Sequence, residues 1–177
     1  ILANDCKHGH ALDGNTLNLT LIRSSYDPDP IPEVGRHEVH LALTSITGNP
    51  PVSEITRLSR RLNHPLRVIV TGVHAGKLGK ESSLVKVEGM GVVVSGVKKA
   101  EDDDSLVIRL YGAEDRNTDA KISFGAGMSG TIREAVEVDL NERKLPKSTA
   151  RIKKGAVHVR VPAHGLVSVK VALETGK

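Results

Sequence analysis

The chain has 177 residues, of which 38% are hydrophobic and 26% are charged, and its formal net charge is +4. This length and composition allow one large β domain or two small ones with a buried core. Aromatic residues make up only 2% and the two signs of charge are interspersed, which argues against sugar-stacking platforms and against a nucleic-acid-binding footprint.

The first part of the chain alternates apolar and polar residues in short runs. Residues 1–5 have the pattern of a strand interior without a preceding Met, so we expect the chain to be a C-terminal piece of a longer protein. Residues 17–22 and 39–44 alternate as half-buried strands do. Between them, Pro28, Pro30 and Pro32 predict a surface loop that connects neighbouring strands.

One helix is predicted, over about residues 53–64. Ser53 can cap its start, Ile55, Leu58 and Leu62 share one face, and Pro65 ends it. A further strand follows and runs into a stretch rich in Gly and Ser. We therefore predict a domain boundary near residue 80.

Strands recur from residue 84 onward at the spacing of about 8 to 12 residues that is typical of a small sandwich. Seven are predicted, near residues 84–89, 91–100, 105–114, 120–125, 131–140, 156–162 and 166–174. Residues 125–130, with three glycines, predict a flexible hairpin, because no helix follows to complete a phosphate cradle. The fold class is therefore mainly β, with antiparallel sandwiches and one short helix.

The densest cluster of chemically active side chains is at the amino terminus, where Asp5, Cys6, Lys7, His8 and His10 fall within six residues. His8 and His10 would point to the same side of an extended segment, and Asp5 or Cys6 could join them. Two histidines without a second ligand pair do not make a metal site, so none is predicted. Hydrolase elbows and nucleotide-binding fingerprints are also absent from the sequence.

The opening residues nevertheless resemble a segment of the glycoside hydrolase family 38 α-mannosidases, especially their cytosolic, vacuolar and bacterial branch. The matching residues are Asn4, Asp5, Cys6, Lys7, Gly9, Gly14, Asn15, Leu17, Leu19, Thr20, Leu21, Arg23, Ser24, Asp27, Pro28, Asp29 and Pro30. Residues 62–66, 95–114 and 138–143 resemble later segments of the family in the same order. His8 stands where the family usually has Tyr.

The resemblance implies that residues 1–80 are part of a large central super-sandwich and residues 81–177 a small Ig-like β-sandwich. It implies a parent enzyme that is a retaining α-mannosidase, acting on terminal α-D-mannosyl residues of oligosaccharides through two carboxyl groups. In the family the nucleophile and the zinc ligands lie in an N-terminal catalytic domain. We therefore expect no catalytic residue, metal or cofactor within this chain, and we expect the isolated chain to be inactive.

The resemblance also suggests a role for the opening segment at the rim of the substrate pocket. Asp5, Lys7 and His8 are the candidates for contacts to substrate or to loops of the catalytic domain. The alternative is a plain turn, in which Asp5 caps backbone amides and Gly9 relieves a tight bend. For Cys6 we expect a small, semi-buried side chain rather than a reactive thiol.

Other functions and partners stay open at this stage. A stand-alone carbohydrate-binding sandwich is the main alternative, and a nucleic-acid binder is a weaker one, suggested only by the sequence pI of about 9.3. The expected partner is the catalytic domain of the same protein, with self-association possible through exposed strand edges. Neither nucleic acid nor membrane is an expected partner, and the branch favours a cytoplasmic location.

Overall fold

The computed structural model describes residues 1–76, 79–125, 128 and 130–174. It divides into two compact units, of which the first holds residues 1–50 and 54–69 and the second holds residues 51–53 and those from 70 onward. The predicted assignment of residues 1–80 and 81–177 to two mannosidase domains stays a prediction. In the described ranges, the helical segments are too short or too polar to cross a bilayer.

The first unit contains two separate two-stranded sheets. Its elements are β1 (Leu2–Asn4), β2 (His10–Asp13), β3 (Thr16–Leu19), β4 (Leu41–Leu43) and the helix α1 (Val52–Asn63). Strands β2 and β3 form a hairpin whose turn begins at Gly14, where the backbone φ is 55°, a value that favours glycine. Strand β1 pairs with β4 in antiparallel register.

This pairing corrects two expectations. The proline-rich loop joins β3 to β4, yet β3 pairs with β2 and β4 pairs with β1, so the loop does not connect neighbouring strands. The predicted half-burial is also wrong, because all of β4 and most of β3 are exposed. Short two-stranded sheets have too little surface to bury their own apolar side chains.

The helix α1 is confirmed, but it begins at Val52, so Ser53 lies inside its first turn instead of preceding it. No residue of α1 is fully buried. The strand predicted after Pro65 is absent: residues 65–70 are without regular structure. There Leu66, Val68 and Val70 are 94%, 83% and 92% exposed.

The described part of the second unit is a β-sandwich of eight strands, so the predicted mainly β fold is confirmed. The strands are β5 (Val85–Glu88), β6 (Val92–Lys99), β7 (Leu106–Gly112), β8 (Thr118–Phe124), β9 (Thr131–Val138), β10 (Arg151–Lys153), β11 (Ala156–Val161) and β12 (Leu166–Glu174). One sheet has the order β10-β11-β8-β5 and the other β6-β7-β12-β9. The seven predicted strands are present, whereas β10 was missed. The glycine-rich hairpin predicted at residues 125–130 falls largely outside the described residues.

A single apolar layer joins the two sheets. Strand β11 alternates from Val157 onward, with Val157, Val159 and Val161 buried and the residues between them facing outward, as a strand with one buried face requires. Ile122 of the same sheet and Ile108 and Leu110 of the opposite sheet belong to the same buried cluster. Burial of each such side chain stabilises the fold by about 1.5–3 kcal/mol.

The outer face of the second sheet carries a buried, paired carboxylate. The side chain of Glu142 is 4% exposed and its Oε1 lies 2.6 Å from Nζ of Lys98, while Oε2 accepts the backbone N–H of Glu101 at 2.9 Å. The ammonium of Lys98 and this amide lower the pKa of Glu142. A buried carboxylate is tolerated here because it is both paired and hydrogen-bonded.

We expect Ile122→Ala to lower the free energy of unfolding of the second unit by about 2–5 kcal/mol, because it leaves a cavity between the sheets. Ile152→Ala, on the edge strand β10 where the side chain is 44% exposed, should change it by less than about 0.5 kcal/mol. Urea unfolding followed by the amide signals of β8 and β12 measures both. Equal effects of the two substitutions would contradict a core centred on Ile122.

Candidate functional site

The candidate site is the segment between β1 and β2, in the first unit, with the hollow that it borders. The hollow has a volume of about 440 Å³ and is lined by residues 1–8, His10 and the helix residues Ile55, Ser59 and Asn63. Asn63 of α1 donates from Nδ2 to the backbone oxygen of Asn4 at 3.2 Å. The hollow therefore has a wall of strand and turn residues on one side and helix residues on the other.

Asn4 forms the turn that presents this segment. Its Oδ1 accepts the backbone N–H groups of Cys6, at 3.1 Å, and of Lys7, so that the chain bends at once after β1. This is the capping role that the plain-turn alternative gave to Asp5, whose own Oδ1 accepts the backbone N–H of His40 at 3.2 Å. An Asn side chain mimics a backbone turn in this way without carrying charge.

Asp5 instead pairs with His40, 35 residues away. Its Oδ2 lies 2.7 Å from Nδ1 of His40, and its Oδ1 accepts the backbone N–H of His40 at 3.2 Å. The register of the β1–β4 pair explains the contact: Asn4 lies opposite Leu41, so the residue after β1 meets the residue before β4. Sequence reasoning missed His40, because only the strand pairing brings it to the site.

This contact changes the pKa values of both side chains. Hydrogen bonds from the Cys6 thiol and then from His40 lower the pKa of Asp5 to about 2, and the carboxylate raises the pKa of His40 above 6.5. Asp5 is therefore ionised at any physiological pH. Its oxygens are already engaged, which leaves it little capacity to accept a proton from a reacting group.

Cys6 is exposed, so the expectation of a semi-buried side chain is wrong. Asp5 raises the pKa of its thiol, by the hydrogen bond first and by its negative charge as well. The thiol form is therefore favoured over the thiolate that nucleophilic and metal-binding chemistry requires.

The remaining candidates line the hollow without forming a cluster of ligands. Lys7 is half-buried and its ammonium has no carboxylate partner among the described residues, whereas His8 is exposed. His10 contacts Asn4 through Nε2 at 3.2 Å, and so is used within the turn. Among the described residues, no three His, Cys, Asp or Glu side chains gather in a way that could hold a metal. The donor set needed for zinc is thus not found there.

Gly9 is required by a close contact and not by a bend. A Cβ at this position would lie 2.9 Å from Cβ of Thr20, and the backbone N–H of Thr20 donates to the oxygen of Gly9 at 2.8 Å. The end of β3 is thereby held against the segment. Any side chain at residue 9 would force the two apart.

We expect Asp5→Asn to return the pKa of His40 toward 6.5, since the neutral amide no longer favours the imidazolium. In the wild-type chain the charged pair stabilises the fold above the unfolded pKa of Asp5, near 3.8, and below that of His40, near 6.5. Its contribution is lost as the pH falls toward 2 or rises through the raised pKa of His40.

An NMR titration of the histidine ring signals measures this change, with His40→Gln used to assign the resonance. The ring signal of His158, in the second unit, is the internal control for effects of the substitution outside the pair. An unchanged midpoint for His40 in Asp5→Asn would contradict the pairing.

Comparison with known proteins identifies the family. Residues 91–173 match the model of the glycosyl hydrolases family 38 C-terminal beta sandwich domain. The chain is 29% identical over 176 residues to alpha-mannosidase 2C1 of Homo sapiens, an alignment that covers 98% of this chain and 16% of that protein. It is 31% identical over 148 residues to the Mus musculus protein, with coverages of 82% and 14%.

The alpha-mannosidase of Saccharomyces cerevisiae is 25% identical over 183 residues, which covers 91% of this chain and 16% of the yeast protein. The chain thus spans about one sixth of the length of these relatives, since the alignments cover 16%, 14% and 16% of them. Together these matches assign the chain to glycosyl hydrolase family 38, as a C-terminal β region whose residues 91–173 form the C-terminal β-sandwich domain.

Proposed function

We propose that this chain is the non-catalytic C-terminal β portion of a retaining α-mannosidase that hydrolyses terminal α-D-mannosyl residues. The observation that carries the proposal is the similarity of nearly the whole chain, 98% of it, to an α-mannosidase of which it spans only 16%. In this proposal the catalytic carboxyl groups and the zinc belong to the part of the protein that precedes these residues. The chain itself braces and borders the catalytic domain.

Exposed apolar side chains in residues 66–70, where the chain passes from the first unit to the second, support packing against further protein. Leu66, Val68 and Val70 lie in a segment without regular structure and are 83–94% exposed, and the described contacts include no backbone hydrogen bond from residues 66–70. Ile69 adds a fourth apolar side chain, 85% exposed. Unpaired backbone groups beside exposed Val and Ile are typical of a strand whose partner is missing.

We propose in addition that Asp5, Lys7 and His8 form part of the rim of the substrate pocket. The ammonium of Lys7, which forms no ion pair within the described part of the chain, can donate hydrogen bonds to sugar hydroxyls. Asp5 instead orients His40 and Cys6 around the turn. The segment then positions and contacts substrate and takes no part in proton transfer. A stand-alone sugar-binding module is disfavoured, because the chain has only three aromatic residues and Phe124 packs on the core.

We expect the full-length parent protein to cleave an aryl α-mannoside and the 177-residue chain alone to have no activity. Val68→Asp in the parent should reduce the free energy of unfolding by about 2 kcal/mol or more, because it places a charge where, in our proposal, Val68 packs against the rest of the parent protein. The matched control is Val34→Asp, in the proline-rich loop, where Val34 is 79% exposed.

Thermal unfolding and soluble yield compare the two variants, in the parent and in the isolated chain. Both should be neutral in the isolated chain, and only Val68→Asp should affect the parent. Hydrolysis by the purified chain would refute the non-catalytic role. A parent that tolerates Val68→Asp would refute the packing of this segment.

The rim role is tested by Lys7→Ala in the parent enzyme. Loss of a hydrogen bond made equally to substrate and transition state should raise KM by about 5- to 20-fold and leave kcat nearly unchanged. Lys147→Ala, at an exposed position of the second unit, is the control and should change neither constant. An unchanged KM in Lys7→Ala would assign the segment to folding alone.

A further inference from the structure

The outward face of the sheet β10-β11-β8 gathers cationic side chains in one place. Arg151 of β10 lies opposite His158 of β11, and His158 lies opposite Lys121 of β8. Arg160 follows His158 on the same face of β11, because the valines between them point into the core. Lys153 is two residues after Arg151 on β10, so the two side chains lie on the same face of the strand.

Most of these basic side chains have no carboxylate partner among the described residues. Lys121 binds Glu88 at 3.1 Å, but in the described residues the side chains of Lys153 and Arg160 form no ion pair. Arg151 donates from Nη1 to the backbone oxygens of Ser148 and Ala150, at 2.8 and 2.7 Å. These bonds fix the guanidinium in position and leave its charge uncompensated.

Three lysines of the other sheet are paired with carboxylates. Lys98 pairs with Glu142, Lys99 with Asp104 and Lys170 with Asp103, at 2.6, 2.6 and 2.9 Å. The chain has 21 acidic residues, so the unpaired basic side chains do not result from a shortage of carboxylates. Like charges on neighbouring strands destabilise a sheet, and this arrangement on β10, β11 and β8 is a local cost that an external anion would remove.

A hollow lies among the unpaired cations. Its volume is about 360 Å³, and its lining includes Arg151, Lys153, His158 and Arg160 together with Asp119 and Thr149. This volume is within the range of small-ligand sites, roughly 300–1,000 Å³. Thr149 is already bound to Glu137 and to the backbone N–H of Arg160, so it serves as a fixed wall.

Asp119 is the acidic residue of this lining. It lies directly opposite Arg160 in the register, yet it forms no ion pair with it among the described contacts. A free carboxylate repels a bare anion but accepts hydrogen bonds from hydroxyl groups. The lining therefore suits a ligand that carries both a phosphate and hydroxyls.

We propose that this hollow binds a phosphate monoester of a small polyol or sugar. The planar guanidinium groups of Arg151 and Arg160 donate paired hydrogen bonds to the phosphate oxygens, and the ammonium of Lys153 binds them as a compact positive charge. The carboxylate of Asp119 accepts a hydrogen bond from a hydroxyl group of the polyol or sugar. The site lies in the second unit and does not depend on the function proposed above.

The test is an amide-detected NMR titration of the 177-residue chain with a hexose 6-phosphate, inorganic phosphate and the unphosphorylated hexose. We expect saturable shifts on β10 and β11 with the ester at a Kd on the order of 1 mM at low salt. Inorganic phosphate should bind more weakly, and the free hexose should cause no shifts. Arg160→Gln should weaken ester binding about tenfold.

Two variants control for charge and for selectivity. Lys99→Gln removes a paired cation from the other sheet and should leave the Kd unchanged. Asp119→Asn should reduce the preference for the ester over inorganic phosphate. Absence of saturable shifts up to about 10 mM ester, about ten times the expected Kd, would overturn the proposal, as would equal weakening by Lys99→Gln. Tighter binding of a short oligonucleotide than of the ester at this face would also overturn it.

Discussion

The apolar layer between the two four-stranded sheets is the constraint on which the second unit depends. Because strand side chains alternate between faces, burial of Val157, Val159 and Val161 obliges His158 and Arg160 to point outward. The same alternation on β10 and β8 brings further cations to that face. The chemical character of the surface therefore follows from the packing of the core. A shift of one residue in register would turn the buried valines outward and the basic side chains inward.

The first unit lacks such a layer. Ala3 is its single buried apolar residue among those described, and its two sheets have two strands each. Isolated two-stranded sheets are marginally stable in water. The alignment covers only 16% of the human relative, so the chain spans about one sixth of that protein's length. The small core of the first unit supports a role in which the rest of the protein completes this unit.

The candidate site was predicted in part. The cluster of Asp5, Lys7 and His8 was identified from its residue types and from a family resemblance, and all three residues border the hollow. Their roles were not predictable, since Asn4 makes the turn and Asp5 pairs with His40. A contact between residues 35 apart depends on which strands pair, and local sequence carries little information about that.

The sequence by itself determined the strand positions of the sandwich, the helix and the family, because two-residue and 3.6-residue periodicities and short motifs are local properties. It missed β10 and wrongly predicted a strand after Pro65. Only the tertiary structure decided which strands are neighbours, which cations lack partners and that His40 meets Asp5. The physical reason is that pairing and electrostatic compensation depend on distances in space, which are set by packing of segments far apart in the chain.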